Sequence, residues 1–415
     1  MNWSPKKGGP VSAAVLSLGL LLAGCADPGD GESREGRGAD RKSASSSKPH
    51  GYVAGAEEAA EQQSRLVLGD AESGEMQILD LIEGRTRPLG RMGKGAELVT
   101  DGRFAYANSS RGSKVFDSGA WMVDHGDHLH YYRAKARGLG AVRGKQPEHV
   151  YSSPWLTAFT FADGTARLVD HAQLEKGRIR TTGFLDGIGR GPVVPFKENA
   201  LVPVAGTGGD STVEVRDRKG RKKTSLGVKC PQLRGAAVTR TGVVFGCADG
   251  ALFITEKQKK LAPEKIPFGR KVPGDERPDA FHSRSLGTTL TARAGDTGVW
   301  VLNVAEREWK LIETGPVAAV NSAGEGTPLL VLDNSGTLKA YEISTGKQLA
   351  RKKLLSSPPK AKDVSRAVIE IDANRAYVND MAARKVHEID YHDSLRKARS
   401  FSLDFRPSEM VETGR

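Results

Sequence analysis

"LDNSGTLKAYEISTGK" (332–347) joins an Asp-Asn-Ser-Gly turn to an alternating strand and then to a second polar turn. A turn of that chemistry followed by apolar residues at every second position is the pattern of a β-hairpin. The same order recurs in "FADGTARLVDHAQLEKG" (161–177), "CADGALFITEKQKK" (247–260) and "AGDTGVWVLNVAERE" (294–308). The equivalent turn residues Asp163, Asp249, Asp296 and Asn334 lie about one or two multiples of forty residues apart, the period of a four-stranded propeller blade.

From about Ser64 onward, short β-branched and aliphatic runs alternate with Gly, Asp and Asn turns, and no long amphipathic helical period interrupts them. The expected fold is therefore all-β, a β-propeller of four-stranded antiparallel blades. Full units fall at 95–136, 148–187, 190–230, 233–268, 279–315, 318–355 and 364–403, after a three-strand fragment at 65–90. A strand from "SEMVETG" (408–414) would complete the fragment, closing the ring by pairing the two ends of the chain and giving eight blades. Seven result if 65–90 only decorates an edge. A β-sandwich normally needs fewer residues, and a parallel β-helix shows shorter repeats.

The N-terminal segment is of another kind. Lys6 and Lys7 precede the apolar run "VSAAVLSLGLLLAGC" (11–25), which is too short for a comfortable membrane span and reads as a secretory signal over 1–24. Leu22-Ala23-Gly24-Cys25 has the form of a lipobox, so Cys25 is expected to become a lipid-modified N-terminus. Residues 25–55 are rich in Gly, Ser, Arg and Asp and poor in large apolar side chains. They read as a disordered tether between the lipid and a propeller domain at 56–415. The mature protein is then expected on the outer face of the cytoplasmic membrane, as a monomer held by its lipid.

The formal net charge is +12, and +10 once the signal with its two lysines is removed. Basic residues are spread through "RKGRKK" (218–223), "EKQKKLAPEK" (256–265) and "ARKKLL" (350–355), which read as solvated loops rather than a nucleic-acid surface. An exported lipoprotein meets anionic lipid and wall polymer before it meets DNA. Besides Cys25, the cysteines are Cys230 and Cys247. A disulfide closing a short loop is the natural reading in an exported protein, and a zinc-thiolate pair is the alternative, without the paired CxxC spacing that would support it.

"VDHGDHLHYY" (123–132) holds three of the nine histidines and two aspartates. It reads as two successive strands joined by a Gly-Asp turn. Residues two apart in a strand share a face, which sets His128 and His130 side by side at a backbone separation of ~7 Å. His125, with Asp124 or Asp127, can fold back over the turn, giving the nitrogen and oxygen donors that suit tetrahedral zinc. A fourth ligand from another segment is expected. His149, at the start of an innermost strand, is the best placed, ahead of His171 and His282. His387 and His392 read as outer-strand or loop residues. Copper, nickel and cobalt obey the same affinity order at such a site, so the donors alone do not select zinc. The chain has no GxSxG elbow, P-loop or HExxH helix, and binding is the simpler expectation than catalysis.

Four stretches, "HGYVAGAEEAAEQQSRLVL" (50–68), "WMVDHGDHLHYYRA" (121–134), "CPQLRGAAVTRTGVVFGCADG" (230–250) and "ETGR" (412–415), resemble the AztD-type zinc metallochaperones. That family comprises exported β-propeller proteins associated with a zinc-uptake ABC transporter and its solute-binding protein. The resemblance implies a zinc-binding propeller that hands its metal to that partner. It implies His125, His128 and His130 as ligands with an Asp beside them, His149 as a second-segment candidate, and a Cys230–Cys247 disulfide. The chain departs from the pattern at Arg234, where the resemblance would place a histidine, and in "YSSPW" (151–155), which lacks another. The competing expectations are a propeller scaffold that binds proteins or glycans without metal, and an enzyme using a bound metal as a Lewis acid.

Overall fold

A computed structural model describes residues 55–124, 128–189 and 191–415. The signal segment, Cys25 and most of the tether lie outside the described residues, as do His125 and Asp127. The described chain is all-β, built as a succession of antiparallel sheets in the manner of a β-propeller.

Sheet 1 runs Glu409–Thr413, Arg65–Gly69, Glu75–Asp80, Arg85–Arg91, and sheet 2 runs Glu97–Thr100, Phe104–Ser109, Gly112–Asp117, Arg137–Arg143. Sheets 3, 4 and 5 begin at Pro147–Ser153, Val194–Phe196 and Arg234–Val238, and their outer strands are Thr181–Leu185, Lys222–Ser225 and Lys260–Pro267. Sheet 6 has three strands, Thr289–Ala294, Gly298–Asn303 and Glu308–Glu313, with a single bridge from His282 to Thr291 on its inner edge. Sheets 7 and 8 run from Val317–Ser322 and Ile369–Ile371 to Gln348–Lys353 and Arg396–Ser402. Sheets 1, 3, 4, 5, 7 and 8 follow the predicted units, sheet 6 has three strands where a full unit of four was expected, and the C-terminal strand pairs with the 65–90 fragment.

Period-2 alternation has a specific use in this arrangement. In Leu329–Asp333, Leu330 and Leu332 pack toward sheet 8 while Leu329 and Val331 pack toward sheet 6. Both faces of such a strand are covered, so "LTAFTF" (156–161) and "GVVFGC" (242–247) are buried throughout. A separate apolar cluster fills each gap between consecutive sheets. Leu66, Leu68, Tyr377 and Val386 fill the gap between sheets 8 and 1. Outer strands have one neighbour and are less buried, from the mostly exposed Arg85–Arg91 to the mostly half-buried Lys260–Pro267.

Three expectations are corrected. The unit predicted at 95–136 takes its fourth strand from Arg137–Arg143, and the histidine-bearing hairpin is an insertion between the third and fourth strands of sheet 2. "DHAQLE" is not part of a strand and turn: Asp170 caps a short helix, His171–Glu175, by accepting from the Gln173 amide. "ARKKLL" is not a loop; its basic residues belong to the outer strand Gln348–Lys353.

The join between the chain's two ends is built from buried charge. Arg65 to Gly69 pair in register with Thr413 to Glu409. Arg415 donates to Glu412 Oε2 (2.9 Å) and Glu370 Oε2 (3.1 Å), while Glu409 accepts from the Leu98 amide (2.9 Å) and pairs with Arg366. Gly414 sits at φ +89°, where an added Cβ would lie 2.3 Å from the Gln63 carbonyl oxygen, so the chain can cross there only as glycine. Burial raises the Glu412 carboxyl to about 8; Arg415 opposes the rise, and the neighbouring Asp372 and Glu370 charges add to it. Burial likewise raises Glu409 to about 7 against the Leu98 amide and Arg366.

Cys230 and Cys247 form a disulfide between the start of sheet 5 and the end of its second strand. The bridge closes a loop with a sequence separation of 17, which in the chain-entropy account contributes about 3 kcal/mol. A Cys230→Ala/Cys247→Ala variant is expected to unfold at a lower denaturant concentration by about that energy, read from equilibrium unfolding. A second prediction concerns the join. Unfolded glutamates ionise near about pH 4.3, so Glu409 and Glu412 hold protons in the fold that the unfolded chain has lost, and stability falls as pH rises toward about 8. Thermal midpoints should decline across that window, and Glu412→Gln should flatten the decline.

Candidate metal centre

Sheet 2 releases the chain at Asp117 and recovers it at Arg137, and the intervening residues form a hairpin of Ala120–Asp124 and Leu129–Arg133. The register sets Trp121 opposite Tyr132 and Val123 opposite His130. A third short strand, Glu57–Ala59, pairs along the free edge of Leu129–Arg133, with Glu58 opposite Tyr132. Sequence reasoning did not anticipate this strand.

The root of the hairpin is fixed by contacts of high specificity. Gly119 takes φ +68°, and a Cβ there would lie 2.3 Å from the Ala134 oxygen, so the two arms can approach only because the residue is glycine. Arg65 Nη1 donates to the Ser118 carbonyl (2.6 Å). Trp121 stacks on Tyr132 with ring centroids 5.4 Å apart, and the Arg103 guanidinium lies 3.8 Å over the indole while pairing with Asp117 at 3.2 Å. Both aromatic rings are buried, so the root of the hairpin is packed against sheet 2 through Arg103.

Beyond this root stand the histidines. The rings of His128 and His130 are 4.8 Å apart at 77°, on one side of the hairpin as the strand period requires. His130 Nδ1 lies 2.6 Å from Glu58 Oε1. Asp124 closes the first strand and its carboxylate is 3.7 Å from Arg240 Nη2, in the turn after the first strand of sheet 5. That ion pair ties the end of the hairpin's first strand to sheet 5. Among the described residues, no group of three or more His, Cys, Asp and Glu is arranged to hold a metal ion. The described hairpin thus contributes two imidazoles with Glu58 on one of them. His125 and Asp127, the other local candidates, fall outside the description. Glu58 lies 72 residues from His130 in the chain, and no local pattern links them; only the pairing of its strand does.

His149 is placed elsewhere, on Pro147–Ser153, lining the cavity. The Tyr106 hydroxyl, which donates to Asp101, lies 3.4 Å from Ser152, so the end of that strand is level with the turn below the hairpin. His149 is three residues back along the strand, about 10 Å deeper. Burial lowers its pKa.

The cavity has a volume of about 1280 Å³ and is walled largely by the innermost strands. Arg234 lines it and donates to the Gly274 carbonyl (2.9 Å), so a fixed cation stands where the sequence resemblance would put a histidine. His282 faces the same space. Burial among the walls, with the Arg293 charge adding to it, lowers its pKa to about 4. His171 is a core residue held by Thr157 Oγ1 (2.9 Å) and edge-on to Phe104. His387 is not at an outer position as expected: it is buried on the third strand of sheet 8 between Ser400 (2.9 Å) and Asp380 (3.3 Å). His392 is exposed on a turn.

Comparison with solved structures gives the fold independently. AztD from Citrobacter koseri superposes with a TM-score of 0.71 at 19% identity, covering 85% of this chain and 98% of that one. Its apo form from the same organism gives 0.71 at 17% identity over the same shares. The dihydro-heme d1 dehydrogenase NirN gives 0.52 at 13% identity, covering 84% of this chain and 75% of its own. The chain therefore has the fold seen in AztD. No protein-family model matches the sequence, and no curated protein matches it.

Removing the indole tests how the hairpin is oriented. Trp121→Ala deletes the ring held between Arg103 and Tyr132, a change that costs about 3 to 5 kcal/mol when a buried aromatic is lost. Amide exchange over 129–133 should accelerate strongly while that of sheets 7 and 8 stays unchanged.

Proposed function

We propose that this chain is a zinc-binding lipoprotein of the AztD type, which takes up zinc on the inserted hairpin and passes it to the solute-binding protein of a zinc ABC importer. The observation that carries the reading is the pair of adjacent imidazoles, His128 and His130, with Glu58 on the latter, on a hairpin of a chain that has the AztD fold. Two adjacent imidazole nitrogens are donors suited to zinc, and His125 and Asp127 are the candidates to complete the set. A carboxylate bonded to one ring nitrogen directs the other nitrogen outward and raises its basicity, the usual support of a metal-bound imidazole.

On this reading the eight sheets form one closed ring, in which the apolar clusters between consecutive sheets and the pairing of the two chain ends leave no free edge at the seam. Cys25 carries the lipid, and residues 25–55 lead from it to the ring at the outer face of the cytoplasmic membrane. The protein acts by binding, without catalysis. His128 is exposed and His130 partly so, which gives a partner access to exchange ligands one at a time. Arg234 lines the channel and His149 lies apart from the hairpin, so zinc is carried at the hairpin rather than along the channel. Those same two observations favour the second reading, a scaffold that binds a partner without metal.

Zinc titration of the mature chain separates the two. About one zinc should bind. His128→Ala/His130→Ala should weaken binding at least a hundredfold, and Glu58→Ala about tenfold, the effect usual for losing a ligand's support. Zinc binding untouched by the double change would remove the hairpin from the function.

A further inference from the structure

The outer strands of four consecutive sheets are strongly one-signed. Arg137–Arg143 of sheet 2, Arg85–Arg91 of sheet 1, Arg396–Ser402 of sheet 8 and Gln348–Lys353 of sheet 7 together hold eleven Lys and Arg residues and no carboxylate. The four strands are neighbours. Lys114 of sheet 2 donates to the Arg91 carbonyl (2.8 Å), Arg399 of sheet 8 donates to the Leu81 carbonyl after sheet 1's third strand (2.9 Å), and one apolar cluster joins sheets 7 and 8.

Four of the eleven are partly neutralised: Arg87 by Glu83, Arg137 by Asp117, Arg396 by Asp390 and Asp393, and Arg399 by Glu388. The other seven, among them Arg85, Arg143, Arg351 and Lys397, enter no ion pair among the described residues. All but Lys352 of these seven are exposed. Edge strands commonly carry lysine as protection against pairing with other chains. That need is met with mixed charge elsewhere in the same molecule, since Glu264 sits on the outer strand of sheet 5 and Glu308 and Glu313 on that of sheet 6. The outer strand of sheet 4, Lys222–Ser225, also holds two lysines, one of them paired with Glu214, but only in this sector do four neighbouring outer strands carry such a surplus side by side.

We infer that this sector is a docking face for an anionic phospholipid bilayer. Cations held within a Debye length of an anionic leaflet are each attracted to it, and the effect accumulates over a rigid array. The described chain starts at Gly55, with Glu57–Ala59 on the edge of the hairpin inserted in sheet 2 and Arg65 opening the second strand of sheet 1. Thirty residues separate Cys25 from Gly55, a span of at most about 100 Å. A lipid on Cys25, as proposed above, would keep the protein within reach of the membrane it is anchored in, and charge complementarity selects the basic side as the one that docks. With the rim of the ring against the bilayer, the channel axis runs along the membrane. The hairpin then faces sideways, toward a neighbour seated on the same surface.

The test uses the mature chain with Cys25→Ser, so that no lipid contributes, in co-sedimentation with phosphatidylcholine vesicles containing or lacking about one third phosphatidylglycerol. Binding is expected only with the anionic lipid and should weaken steeply with salt. A variant reversing one free cation per strand, Arg85→Glu/Arg143→Glu/Arg351→Glu/Lys397→Glu, should lose affinity at least tenfold. A control reversing Lys259 and Lys260, on the turn entering the outer strand of sheet 5, should keep most of it. Absence of binding to anionic vesicles would overturn the proposal. So would equal loss in both variants, or preference for a soluble polyphosphate over vesicles. Zinc titration of the same variants, expected unchanged, keeps this outcome separate from that of the hairpin.

Discussion

The pairing of Glu409–Thr413 with Arg65–Gly69 is the contact on which the rest of the structure depends. It sets residues more than three hundred apart in one sheet, so the entropy of closing that loop falls on nearly the whole folded chain. The contacts that hold it are unusual for a sheet. Arg415 spans Glu370 and Glu412, Glu409 reaches both the Leu98 amide and Arg366, and Ser408 accepts from the Ala71 amide. Fully apolar residues at these positions would satisfy many registers. Buried partners of fixed geometry satisfy one, because an uncompensated charge there is costly.

The sheets made rigid in this way carry the candidate site on a part that does not belong to them. The hairpin leaves sheet 2 between its third and fourth strands, is oriented by Arg103 and Trp121, and reaches Arg240 of sheet 5. Its histidines therefore stand on a support anchored at both ends yet outside the close-packed gaps between sheets. A metal ligand set needs well-defined positions and also access for a partner. An inserted hairpin provides both, whereas the buried strands of the sheets could provide only the first. The channel serves differently: Arg234, Arg277 and Arg293 line it together with Asp275 and Asp279, a mixed-charge wall with its own hydrogen bonds.

Much of this was legible in the sequence because it is periodic or local. Alternating strands and Asp/Asn-Gly turns announce hairpins through backbone geometry alone, their spacing announces the repeated sheets, and HxxHxH sets two imidazoles on one strand face. The "SEMVETG" strand was predictable because one fragment was a strand short. What the sequence could not show was pairing between distant segments. Glu58 meets His130 only because a three-residue strand adds to the hairpin's edge, and "EEA" has no pattern of its own. The hairpin was assigned to the sheet for a similar reason: Ala120–Asp124 alternates just as a sheet strand does, and only its partners distinguish it. Of the basic sector, only "ARKKLL" reads as a loop in the sequence, and the sector itself is invisible there because its four outer strands lie far apart in the chain. By itself the sequence determined the repeated strands, their order and the pairing of two imidazoles on one strand face, since these follow from side-chain chemistry and the two-residue strand period. Tertiary structure alone decided which edges meet, and with them where charge and donors gather, because edge pairing is set by the whole set of packed sheets.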